Sequence, residues 1–518
     1  MTILSTDTMT RLHQLVDAQA QARPDAPMAR DHDGRTVTWG ALDAATHRLA
    51  GVLGEAGVRP GDRVMIVAEN SAALVAAFYA CSRLDAWALL VNARASGPEL
   101  AAIAQDAGIR LAVYTTAVSP DAGTHAQTDG ARSIDDPVAP LAIGPARQAD
   151  PEPVQADAGQ VAALLYTTGT TGKPKGVMLS HGNLLFAGQG AAALRGTAPD
   201  DILYGALPLT HVYGLASMLG ATATAGAQLW FDPRFTPAGL LAAIRGGVSI
   251  LPAVPQMHAL FADHVRAQGL TTLADTRLRF VSSGGAPLDP ELRRRAERVY
   301  GVPMQNGYGM TEATAGITVT NSQPGDDDTS TGLPFPGVEV RLDVPAEAAD
   351  GVGEILTRGP HVMRGYYGQP QATAAVLGPD GWLRTGDLGR LDDAGRLHVV
   401  GRLKELIIRS GFNVYPVEVE AALVEHPEVL QAAVVGRALP GGNEDVVAFV
   451  RPAEGAALDE PGLRAHVAAR LSPYKRPGLY VITDTLPATP TGKVLKHKLI
   501  AHFADRLPAL AEPAPGQG

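Results

Sequence analysis

The sequence predicts an α/β protein with a parallel sheet and more than one domain. Strand-like and helix-like segments alternate through the first hundred or so residues, which is typical of parallel sheets covered by helices. Several later strand-like segments end in glycine-rich turns, where ligands bind in open α/β sheets. The chain has 518 residues, whereas a single domain usually has about 100–200, so a second domain is expected.

The first α/β segment begins near residue 36. TVTWGALDAATHRLA (36–50) predicts a short strand followed by a helix, and RVMIVAENS predicts a buried strand. ALVAAFYACSRLDA predicts an apolar helix, and WALLVNA predicts the next strand. SGPELAAIAQDAG predicts a helix that opens with the Ser-x-x-Glu of a capping box. Residues 117–160 lack an apolar period and are predicted to be surface loop with fragments of strand.

The alternation resumes at about residue 161. GVSILPAV, RLRFVSSGG and VPMQNGYG predict strands that end in glycine-rich turns. After about residue 330, the short alternating runs GVEVRL, GEILTRG and GRLHVVGR predict a β-rich subdomain. From about residue 403, ELIIRS, VEVEAALVEHP, LQAAVVGR and VVAFVRP predict a small α+β unit. The tail, about residues 506–518, is predicted to be disordered.

Composition excludes several classes of protein. The formal net charge is -10 and no basic face is evident, so nucleic acid is not an expected partner. Cys81 is the single cysteine, so a disulfide within the chain is excluded. Cys81 is predicted to be a buried apolar residue. The sequence has no secretory signal pattern and no apolar run of about 18 residues to span a bilayer. A cytoplasmic setting is predicted.

The stretch YTTGTTGKPKGV (166–177) holds glycines, threonines and lysines in close succession. It is not a Walker A motif, because no glycine stands five residues before Gly172. Glycines free backbone N–H groups to face an anion, threonine hydroxyls donate hydrogen bonds, and lysines supply charge. Composition alone fits a phosphate site and a polar hairpin loop equally well.

Six further motifs follow in the chain. They are LPLTHVYGL (207–215), SSGGAPL (282–288), NGYGMTEA (306–313), GWLRTGDLG (381–389), GRLKELIIRSGFNVYPVEVE (401–420) and LPATPTGKVLK (486–496). In this order, and together with the threonine and glycine loop, they resemble the adenylate-forming enzymes: acyl-CoA synthetases, peptide-synthetase adenylation domains and firefly luciferase. The resemblance covers roughly residues 10–505.

The resemblance implies a fold and a reaction. It implies an N-terminal domain, 1–402, with α/β subdomains and a small β-barrel, and a mobile C-terminal domain, 403–518, with the active site between them. The family joins a carboxylic acid to ATP, releases pyrophosphate, and then lets a thiol, usually that of CoA, displace AMP. ATP, Mg²⁺ and CoA are therefore the implied cofactors, and a small carboxylic acid is the implied substrate.

The resemblance also implies a nucleotide site. The residues that would close on the outer phosphates are Thr167, Thr168, Gly169, Thr170, Thr171, Gly172 and Lys175. Those implied around the adenine are Gly284, Gly285, Ala286, Asn306, Gly307, Tyr308 and Gly309. Thr311 would bond the α-phosphate, and the Glu312 carboxylate would suit Mg²⁺. Asp387 would accept both ribose hydroxyls, and Arg402 would contact the ribose or phosphate edge.

The C-terminal motifs imply catalysis and movement. Lys493 would bridge the substrate carboxylate and the α-phosphate. The implied catalytic residues are Lys493, Thr311, Glu312 and His211. Lys404 occupies the hinge position, and rotation there would bring Ser410, Gly411 and Phe412 to the CoA arm. Many relatives have lysine before that segment, where this chain has Arg409, so any charge contact there shifts to Arg409 or is lost.

The sequence says least about which carboxylic acid is the substrate. His211, Tyr213 and Gly214 are the implied pocket wall, and the neighbouring runs VYGLASML, ILPAVPQMHALF and FVSSGGAP are apolar. No arginine is clearly placed for a second carboxylate, although His258 leaves a diacid open. A medium- or long-chain fatty acid is predicted, with an arylcarboxylate such as benzoate or a coumarate as the alternative.

Two rival functions and the oligomeric state stay open at this point. An adenylating enzyme that serves a carrier-protein thiol would have no use for free CoA. A non-catalytic nucleotide-binding relative would have lost Lys493, Glu312 or Asp387, and all three are present. Monomer and homodimer are not distinguished by the sequence.

Overall fold

The protein is described by a computed structural model over residues 4–168, 174–346, 351–409, 412–439, 443–453, 455–488 and 494–508. The chain forms two compact units. The first comprises Met1–Val340 and Leu356–Arg384, and the second comprises Arg341–Ile355 and Thr385–Gly518. The domain boundary at residue 402 stays a prediction.

The helices and strands are numbered along the chain. The helices are α1 His13–Ala22, α2 Trp39–Glu55, α3 Ala72–Arg83, α4 Gly97–Ala107, α5 Pro120–Thr128, α6 His181–Arg195, α7 Ala221–Ala225, α8 Pro237–Arg245, α9 Pro255–Ala267, α10 Pro290–Tyr300, α11 Pro370–Ala374, α12 Pro416–Val424, α13 Glu460–Ala468 and α14 Lys496–His502. The strands are β1 Pro27–Arg30, β2 Thr36–Thr38, β3 Arg63–Ala68, β4 Trp87–Asn92, β5 Leu111–Tyr114, β6 Arg132–Ile134, β7 Leu141–Ile143, β8 Val161–Thr168, β9 Pro174–Ser180, β10 Ile202–Gly205, β11 Gln228–Phe231, β12 Ile250–Ala253, β13 Phe280–Ser283, β14 Met304–Tyr308, β15 Thr318–Val319, β16 Leu333–Pro334, β17 Glu339–Asp343, β18 Gly353–Arg358, β19 Gly365–Tyr366, β20 Leu383–Leu391, β21 Leu397–Arg402, β22 Ile407–Arg409, β23 Phe412–Val414, β24 Val429–Ala438, β25 Glu444–Pro452 and β26 Leu479–Ile482.

The first unit contains an eight-stranded sheet in the order β19-β9-β8-β4-β3-β5-β7-β6. Its centre is parallel, because β3 pairs in parallel with β4 and β5, and β4 pairs in parallel with β8. All six residues of β3 are buried, as expected for a strand covered on both faces. Helix α3 is also buried from Ala72 to Ser82, which agrees with its continuous apolar sequence. The predicted strand–helix alternation is confirmed in this sheet.

The first unit also contains a nine-stranded sheet in the order β16-β15-β14-β13-β12-β10-β11-β1-β2. Strands β10, β12, β13 and β14 form a continuous parallel ladder. The motifs SSGGAPL and NGYGMTEA lie where β13 and β14 end. Because these strands are parallel neighbours, their carboxyl ends meet at one edge of the sheet, which is the usual ligand edge.

Local helix signals were read correctly in one place and missed in another. Helix α4 has the predicted capping box, in which the side chains and backbones of Ser96 and Glu99 bond reciprocally. Helix α5, by contrast, lies within the segment predicted to be loop. Ser119 caps it and Pro120 opens it, a start signal that the sequence carried, but only Ala122 and Ala126 are buried. Two small apolar residues gave too weak a period to reveal the helix.

The second unit is β-rich. It includes the three-stranded sheet β24-β25-β26 and the hairpin β22-β23. Strands β17, β18, β20 and β21 form a four-stranded sheet in that order. Helix α12 and strand β24 match the predicted VEVEAALVEHP and LQAAVVGR elements. The structure describes the chain to residue 508, so most of the predicted disordered tail lies outside the described residues.

Two predictions from composition can be compared with the fold. Cys81 is completely buried in helix α3, which confirms its predicted place in the apolar core. Among the helices that the described residues form, none combines the length and apolar character needed to cross a bilayer.

Candidate active site

The threonine and glycine loop joins two neighbouring antiparallel strands. Thr167 pairs with Lys175, and Thr168 pairs with Pro174, so residues 169–173 connect β8 directly to β9. The loop is therefore the tip of a hairpin, and a hairpin position is compatible with phosphate binding. Gly169, Thr170, Thr171 and Gly172 lie outside the described residues, as does the side chain of Thr168. Their phosphate contacts stay a prediction.

Tyr366 joins the loop lysine to the predicted metal carboxylate. The ammonium of Lys175 lies 4.6 Å from the centre of the Tyr366 ring. The Tyr366 hydroxyl donates to Oε1 of Glu312 at 2.9 Å. Burial, together with the Glu312 carboxylate, raises the pKa of Tyr366, so the phenol keeps its proton and remains a donor. One aromatic side chain thus contacts charged groups from two separate motifs.

The backbone around Tyr366 explains this position. Strand β19 pairs antiparallel with β9, placing Tyr366 opposite Val177. The N–H of Met363 donates to the carbonyl oxygen of Glu312 at 2.9 Å. The motif analysis missed Tyr366, although the run MRGYYG put an aromatic residue directly after a glycine with φ +132° at Gly365.

The NGYGMTEA segment is held in a tight turn. Strand β14 ends at Tyr308, and Thr311–Ala313 form one 3-10 turn. A Cβ atom on Gly309 would lie 1.3 Å from the carbonyl oxygen of Ala315, so only glycine fits there. Thr314 and Ala315 have φ values of 45° and 83°, in the left-handed region that non-glycine residues seldom occupy. This closed turn fixes the direction of Thr311 and Glu312.

Asn306 occupies a buried position at the start of the same motif. Its side-chain amide donates to the carbonyl oxygen of Ser330 at 2.9 Å, and its backbone N–H donates to Oγ1 of Thr320 at 2.8 Å. These contacts bind β14 to the segment that returns along it. Asn306 therefore has a structural role, and its predicted part in the nucleotide site stays a prediction.

The SSGGAPL segment lies beside NGYGMTEA and HVYG. Ser283 is in register with Asn306, and the Cβ position of Gly284 is 3.5 Å from the Gly307 carbonyl and 3.4 Å from the Tyr213 ring. Gly285 has φ +78° and is exposed, as is Ala286. The structure therefore brings three predicted motifs to the same end of the parallel ladder.

The HVYG segment opens a π-helix, Tyr213–Gly220, a rare turn that is frequent at functional sites. A Cβ atom on Gly214 would lie 2.2 Å from the carbonyl oxygen of Pro208, so this glycine permits a close backbone approach. The hydroxyl of Tyr213 is 3.4 Å from Oγ of Ser282. His211 is exposed, and its Nδ1 accepts from the Tyr213 N–H at 3.3 Å. Tyr213 is thus part of the motif cluster.

His258 is fully engaged inside the protein. Its Nδ1 lies 3.0 Å from the Tyr300 hydroxyl, and its Nε2 lies 3.3 Å from the Ser282 carbonyl oxygen. Burial lowers the pKa of His258 to about 4, so the ring is neutral near pH 7. Both ring nitrogens have partners. His258 is therefore unsuited to pair with a second substrate carboxylate, the possibility that the sequence had left open.

The second unit pairs the two predicted ribose-site residues. Asp387 and Arg402 are opposite each other in the β20-β21 ladder, and Nε of Arg402 lies 3.2 Å from Oδ1 of Asp387. Lys404 is exposed on a 3-10 turn, Leu403–Glu405. Arg409 donates to the Arg476 carbonyl and lies 3.4 Å from Asp445, so its charge is engaged within this unit.

The predicted catalytic lysine and most of the CoA segment are not described. Lys493, Ser410 and Gly411 lie outside the described residues. Phe412 is 54% exposed and stacks on Tyr474, with ring centres 4.7 Å apart. Three residues after Lys493, Nζ of Lys496 lies 3.0 Å from Oε2 of Glu405 and 2.8 Å from Oε1 of Glu420.

Comparison with known proteins identifies the family. The AMP-binding enzyme model matches residues 16–367, well over half of the chain, and the AMP-binding enzyme C-terminal domain model matches residues 418–493. The chain belongs to the AMP-binding enzyme family. The resemblance to adenylate-forming enzymes is therefore confirmed.

Relatives of this AMP-binding enzyme cover almost its whole length. Feruloyl-CoA synthase from Amycolatopsis sp is 36% identical over 501 residues, covering 94% of this chain and 97% of the relative. 4-Coumarate–CoA ligase 5 from Oryza sativa subsp. japonica is 34% identical over 532 residues, covering 96% and 95%. The crystal structure of ATP-bound MatB from Rhodopseudomonas palustris is 30% identical, with a TM-score of 0.82 and coverage of 95% and 99%.

Membership of the AMP-binding enzyme family confirms three predictions. The AMP-binding enzyme has a mixed α/β fold with a large N-terminal and a smaller C-terminal domain. It is an AMP-forming acid–thiol ligase, the class to which its relatives belong. Enzymes of the family depend on ATP, Mg²⁺ and CoA, and a small carboxylic acid fits as substrate.

Proposed function

We propose that this protein is an arylcarboxylate–CoA ligase. It activates the acid with ATP to an aryl-adenylate, releases pyrophosphate, and transfers the acyl group to the thiol of CoA. The observation that carries the proposal is the 36% identity to a feruloyl-CoA synthase along nearly the full length of both chains. The arylcarboxylate was the sequence-based alternative, and the medium- or long-chain fatty acid stays the competing prediction.

The proposed chemistry begins with charge neutralisation. A carboxylate attacks the α-phosphate of ATP, and negative charge builds up on the phosphate oxygens as pyrophosphate leaves. The residues assigned to the outer phosphates are Thr167, Thr168, Gly169, Thr170, Thr171, Gly172 and Lys175. Support comes from Lys175, a partly buried residue whose ammonium lies over the face of Tyr366. Thr311 donates to the α-phosphate at the end of the tight turn.

Glu312 fits a magnesium ion that is bound mainly through phosphate. Its Oε1 accepts from Tyr366, which leaves carboxylate lone pairs available for a hard cation. Clusters of three possible ligands occur elsewhere in the described residues, at Asp17, Asp43 and His47 and at Asp31, His32 and Asp33, and neither includes Glu312. A single carboxylate plus substrate phosphates is how Mg²⁺ usually binds. When bound, the ion would neutralise charge on the phosphates.

The remaining nucleotide contacts are assigned from position. Tyr308 provides a flat face for adenine, against the backbone of Gly284, Gly285 and Ala286, with Asn306, Gly307 and Gly309 shaping the same edge. Asp387, 7% exposed and paired with Arg402, accepts from the ribose hydroxyls. Lys493 bridges the carboxylate and the α-phosphate during adenylation. Rotation at Lys404 then brings Ser410, Gly411 and Phe412 to CoA.

The acid site is assigned to the space beyond Tyr213. A cavity of about 30 Å³ is lined by Phe186, Phe335, Ser217, His361 and small residues of α6 and of the turn after Glu312. Phe335 packs against Gly316, where a Cβ atom would lie 2.7 Å from the ring. A volume of about 30 Å³ is room for about two water-sized probes, so this cavity does not discriminate between a ring and an alkyl chain, and the aryl assignment rests on the relatives.

A pyrophosphate-release screen tests the proposal. The acids are benzoate, cinnamate, 4-hydroxycinnamate, ferulate, octanoate and palmitate, each with and without CoA. We expect an arylcarboxylate to give the highest kcat/KM and expect CoA to be consumed in equal amount with pyrophosphate. A higher kcat/KM for octanoate or palmitate would replace the proposal by the fatty-acid prediction. Pyrophosphate release without any CoA thioester would favour the carrier-protein alternative.

A further inference from the structure

A buried asparagine of helix α6 connects two parts of the first unit that are far apart in the sequence. Asn183 is the third residue of α6 and is 6% exposed. Its Nδ2 donates to the carbonyl oxygens of Pro360 at 2.6 Å and of Val362 at 3.0 Å. Its Oδ1 accepts from the backbone N–H of Ser180 at 2.9 Å. One amide thus bonds three backbone groups, two of which are 177 and 179 positions away.

The oxygen and the nitrogen of this amide have separate roles. The oxygen completes a capping box, because Oγ of Ser180 in turn accepts from the N–H of Asn183 at 3.1 Å. That role needs only an acceptor, and glutamate or glutamine usually fills it. A carboxylate would also suit the partial positive charge at a helix N-terminus. The two donors are therefore what asparagine adds, and both bond residues 360–362.

Residues 360–366 hold the turn that carries Glu312. The hydroxyl of Thr314 donates to the carbonyl oxygen of His361 at 2.6 Å. The N–H of Met363 donates to the carbonyl oxygen of Glu312 at 2.9 Å. The Tyr366 hydroxyl donates to the Glu312 carboxylate, also at 2.9 Å. The turn is thus bonded to the 360–366 segment through its backbone and through the side chain that is assigned to the metal.

The contacts of helix α6 and of the turn alternate along residues 360–363. Asn183 bonds the first and third carbonyls, whereas the turn bonds the second carbonyl and the fourth N–H. Thr314, which bonds the second carbonyl, is completely buried and has φ 45°. A non-glycine residue keeps such a conformation only where its surroundings hold it. A shift of residues 360–363 would therefore release Thr314 and move Glu312.

Helix α6 also continues the strand that carries Lys175. Strand β9 ends at Ser180 and α6 begins at the next residue, so no loop separates them. The 360–366 segment runs along this strand, since β19 pairs with β9 and the N–H of Arg364 donates to the Met178 carbonyl at 2.9 Å. Asn183 extends that pairing past the end of β9. The strand with Lys175 and the segment that holds Glu312 are therefore joined along their whole contact.

We propose that Asn183 is a positioning residue for the Glu312 carboxylate. Its polar atoms are engaged with the backbone, so it acts on the reaction only by fixing residues 360–362 and, through them, Glu312 relative to Lys175. This inference rests on the proposed function in one respect, the assignment of Glu312 to Mg²⁺, and it is independent of the acid. Loss of the two donors should weaken Mg²⁺ binding in the ATP complex more than it weakens ATP binding itself.

The test measures binding without turnover. Calorimetry with α,β-methylene-ATP, whose α–β link is not cleaved, gives the Mg²⁺ concentration that half-maximally tightens the nucleotide, and a titration in EDTA gives the affinity without metal. Asn183→Asp keeps an acceptor for Ser180 but replaces both donors by an oxygen. We expect the half-maximal Mg²⁺ concentration to rise by about tenfold and the affinity in EDTA to change by less than about twofold, as for residues that orient a metal ligand.

Ser180→Ala is the matched control on the same helix. It removes the capping hydroxyl, which lowers stability, but leaves both donors of Asn183 in place. We expect a lower melting temperature with an unchanged half-maximal Mg²⁺ concentration. Combined with Tyr366→Phe, Asn183→Asp should have a smaller effect than alone, since both residues act through Glu312. If Asn183→Asp does not fold, Asn183→Ala decides the question, because it removes the donors without adding a charge.

Glu312→Gln distinguishes failure of this inference from failure of the proposed function. If it raises the half-maximal Mg²⁺ concentration and the Asn183 variant does not, Glu312 keeps its assignment and the inference about Asn183 is wrong. An equal loss of affinity with Mg²⁺ and in EDTA would also overturn the inference, because it would show a general structural role. If Glu312→Gln leaves the Mg²⁺ dependence unchanged, the metal assignment is wrong, and the inference about Asn183 is wrong with it.

Discussion

Tyr366 donates its phenolic proton to Glu312 at 2.9 Å, although the two residues are 54 positions apart in the chain. The same ring lies under the ammonium of Lys175 at 4.6 Å. Tyr366 thus connects the loop assigned to the outer phosphates with the carboxylate assigned to Mg²⁺. A single side chain positions both charges that would bind the triphosphate.

Replacing Tyr366 by phenylalanine should weaken binding of ATP with Mg²⁺. The ring that contacts Lys175 is kept, but Glu312 loses its hydrogen bond and becomes free to turn. We expect KM for ATP at limiting Mg²⁺ to rise by about tenfold, the usual effect of one hydrogen bond to a charged group. Tyr367→Phe is the control, since that hydroxyl bonds Glu152 at 2.7 Å instead. Equal KM values in the two variants would contradict the role of Tyr366.

Replacing Gly309 by alanine should disrupt the turn that carries Thr311 and Glu312. The new Cβ atom would overlap the Ala315 carbonyl oxygen at 1.3 Å, so the turn must open. We expect pyrophosphate release to fall by at least about a hundredfold, because small misplacements of catalytic groups have such effects. Gly51→Ala is the matched control, because that position in helix α2 has nothing within 4 Å. The control should raise stability by about 0.5–1 kcal/mol. Activity retained in Gly309→Ala would refute this account.

Replacing Lys493 by alanine should separate the two half-reactions. Adenylation should be lost, because no ammonium bridges the carboxylate and the α-phosphate. Thioester formation from supplied aryl-adenylate and CoA should continue. Lys498→Ala is the control, since Lys498 is an exposed lysine of α14. Normal pyrophosphate release in Lys493→Ala would exclude the assignment. Conversely, Lys404→Pro should spare adenylation and block thioester formation.

Replacing Lys496 by methionine should loosen the segment that leads from Lys493 into α14. Lys496 offsets the charges of Glu405 and Glu420, and the Glu420 pKa is raised, chiefly by burial. Without the ammonium, two carboxylates face each other in a largely buried place. The loss should be below the about 3–5 kcal/mol of a fully buried pair, because Lys496 keeps 20% of its exposure. Thermal unfolding measures it, and Lys496→Arg should restore most of the stability. An unchanged melting temperature would contradict the role of this cluster.

His258 should make the protein less stable as pH falls. Burial lowers its pKa from 6.5 to about 4, so the unfolded chain takes up a proton that the folded one does not. The stability it contributes is complete above the unfolded pKa and is lost as pH falls toward the folded pKa. Between pH 7 and 5 the loss from one such group is about 2 kcal/mol. His258→Gln should remove that part of the pH dependence in urea unfolding. His47→Gln, on the exposed surface of α2, should not change it.

The local patterns of the sequence determined much of the fold. Alternating strand and helix periods predicted β3, α3, β4 and α4, because a strand buried on both faces and a helix buried around its circumference each need continuous apolar sequence. The capping box of Ser96 and Glu99 was also predicted from the sequence, since its two partners are three residues apart. The motifs predicted the family because their glycines allow tight backbone turns and their threonine hydroxyls can donate hydrogen bonds to phosphate. Helix α5 was missed because only two alanines carry its buried face.

The tertiary structure alone decided which distant side chains meet. Tyr366 reaches Glu312 only because β19 pairs with β9, and Arg195 reaches Ser217 only because α6 packs on the π-helix. His258 looked available in the sequence, but Tyr300 and Ser282 occupy both of its ring nitrogens. Local sequence determines secondary structure through periodicity and turn chemistry, whereas contacts between distant residues depend on how sheets and helices pack. The family and its reaction could therefore be predicted from the sequence, whereas the contacts of Tyr366 and His258 depend on how the sheets and helices pack.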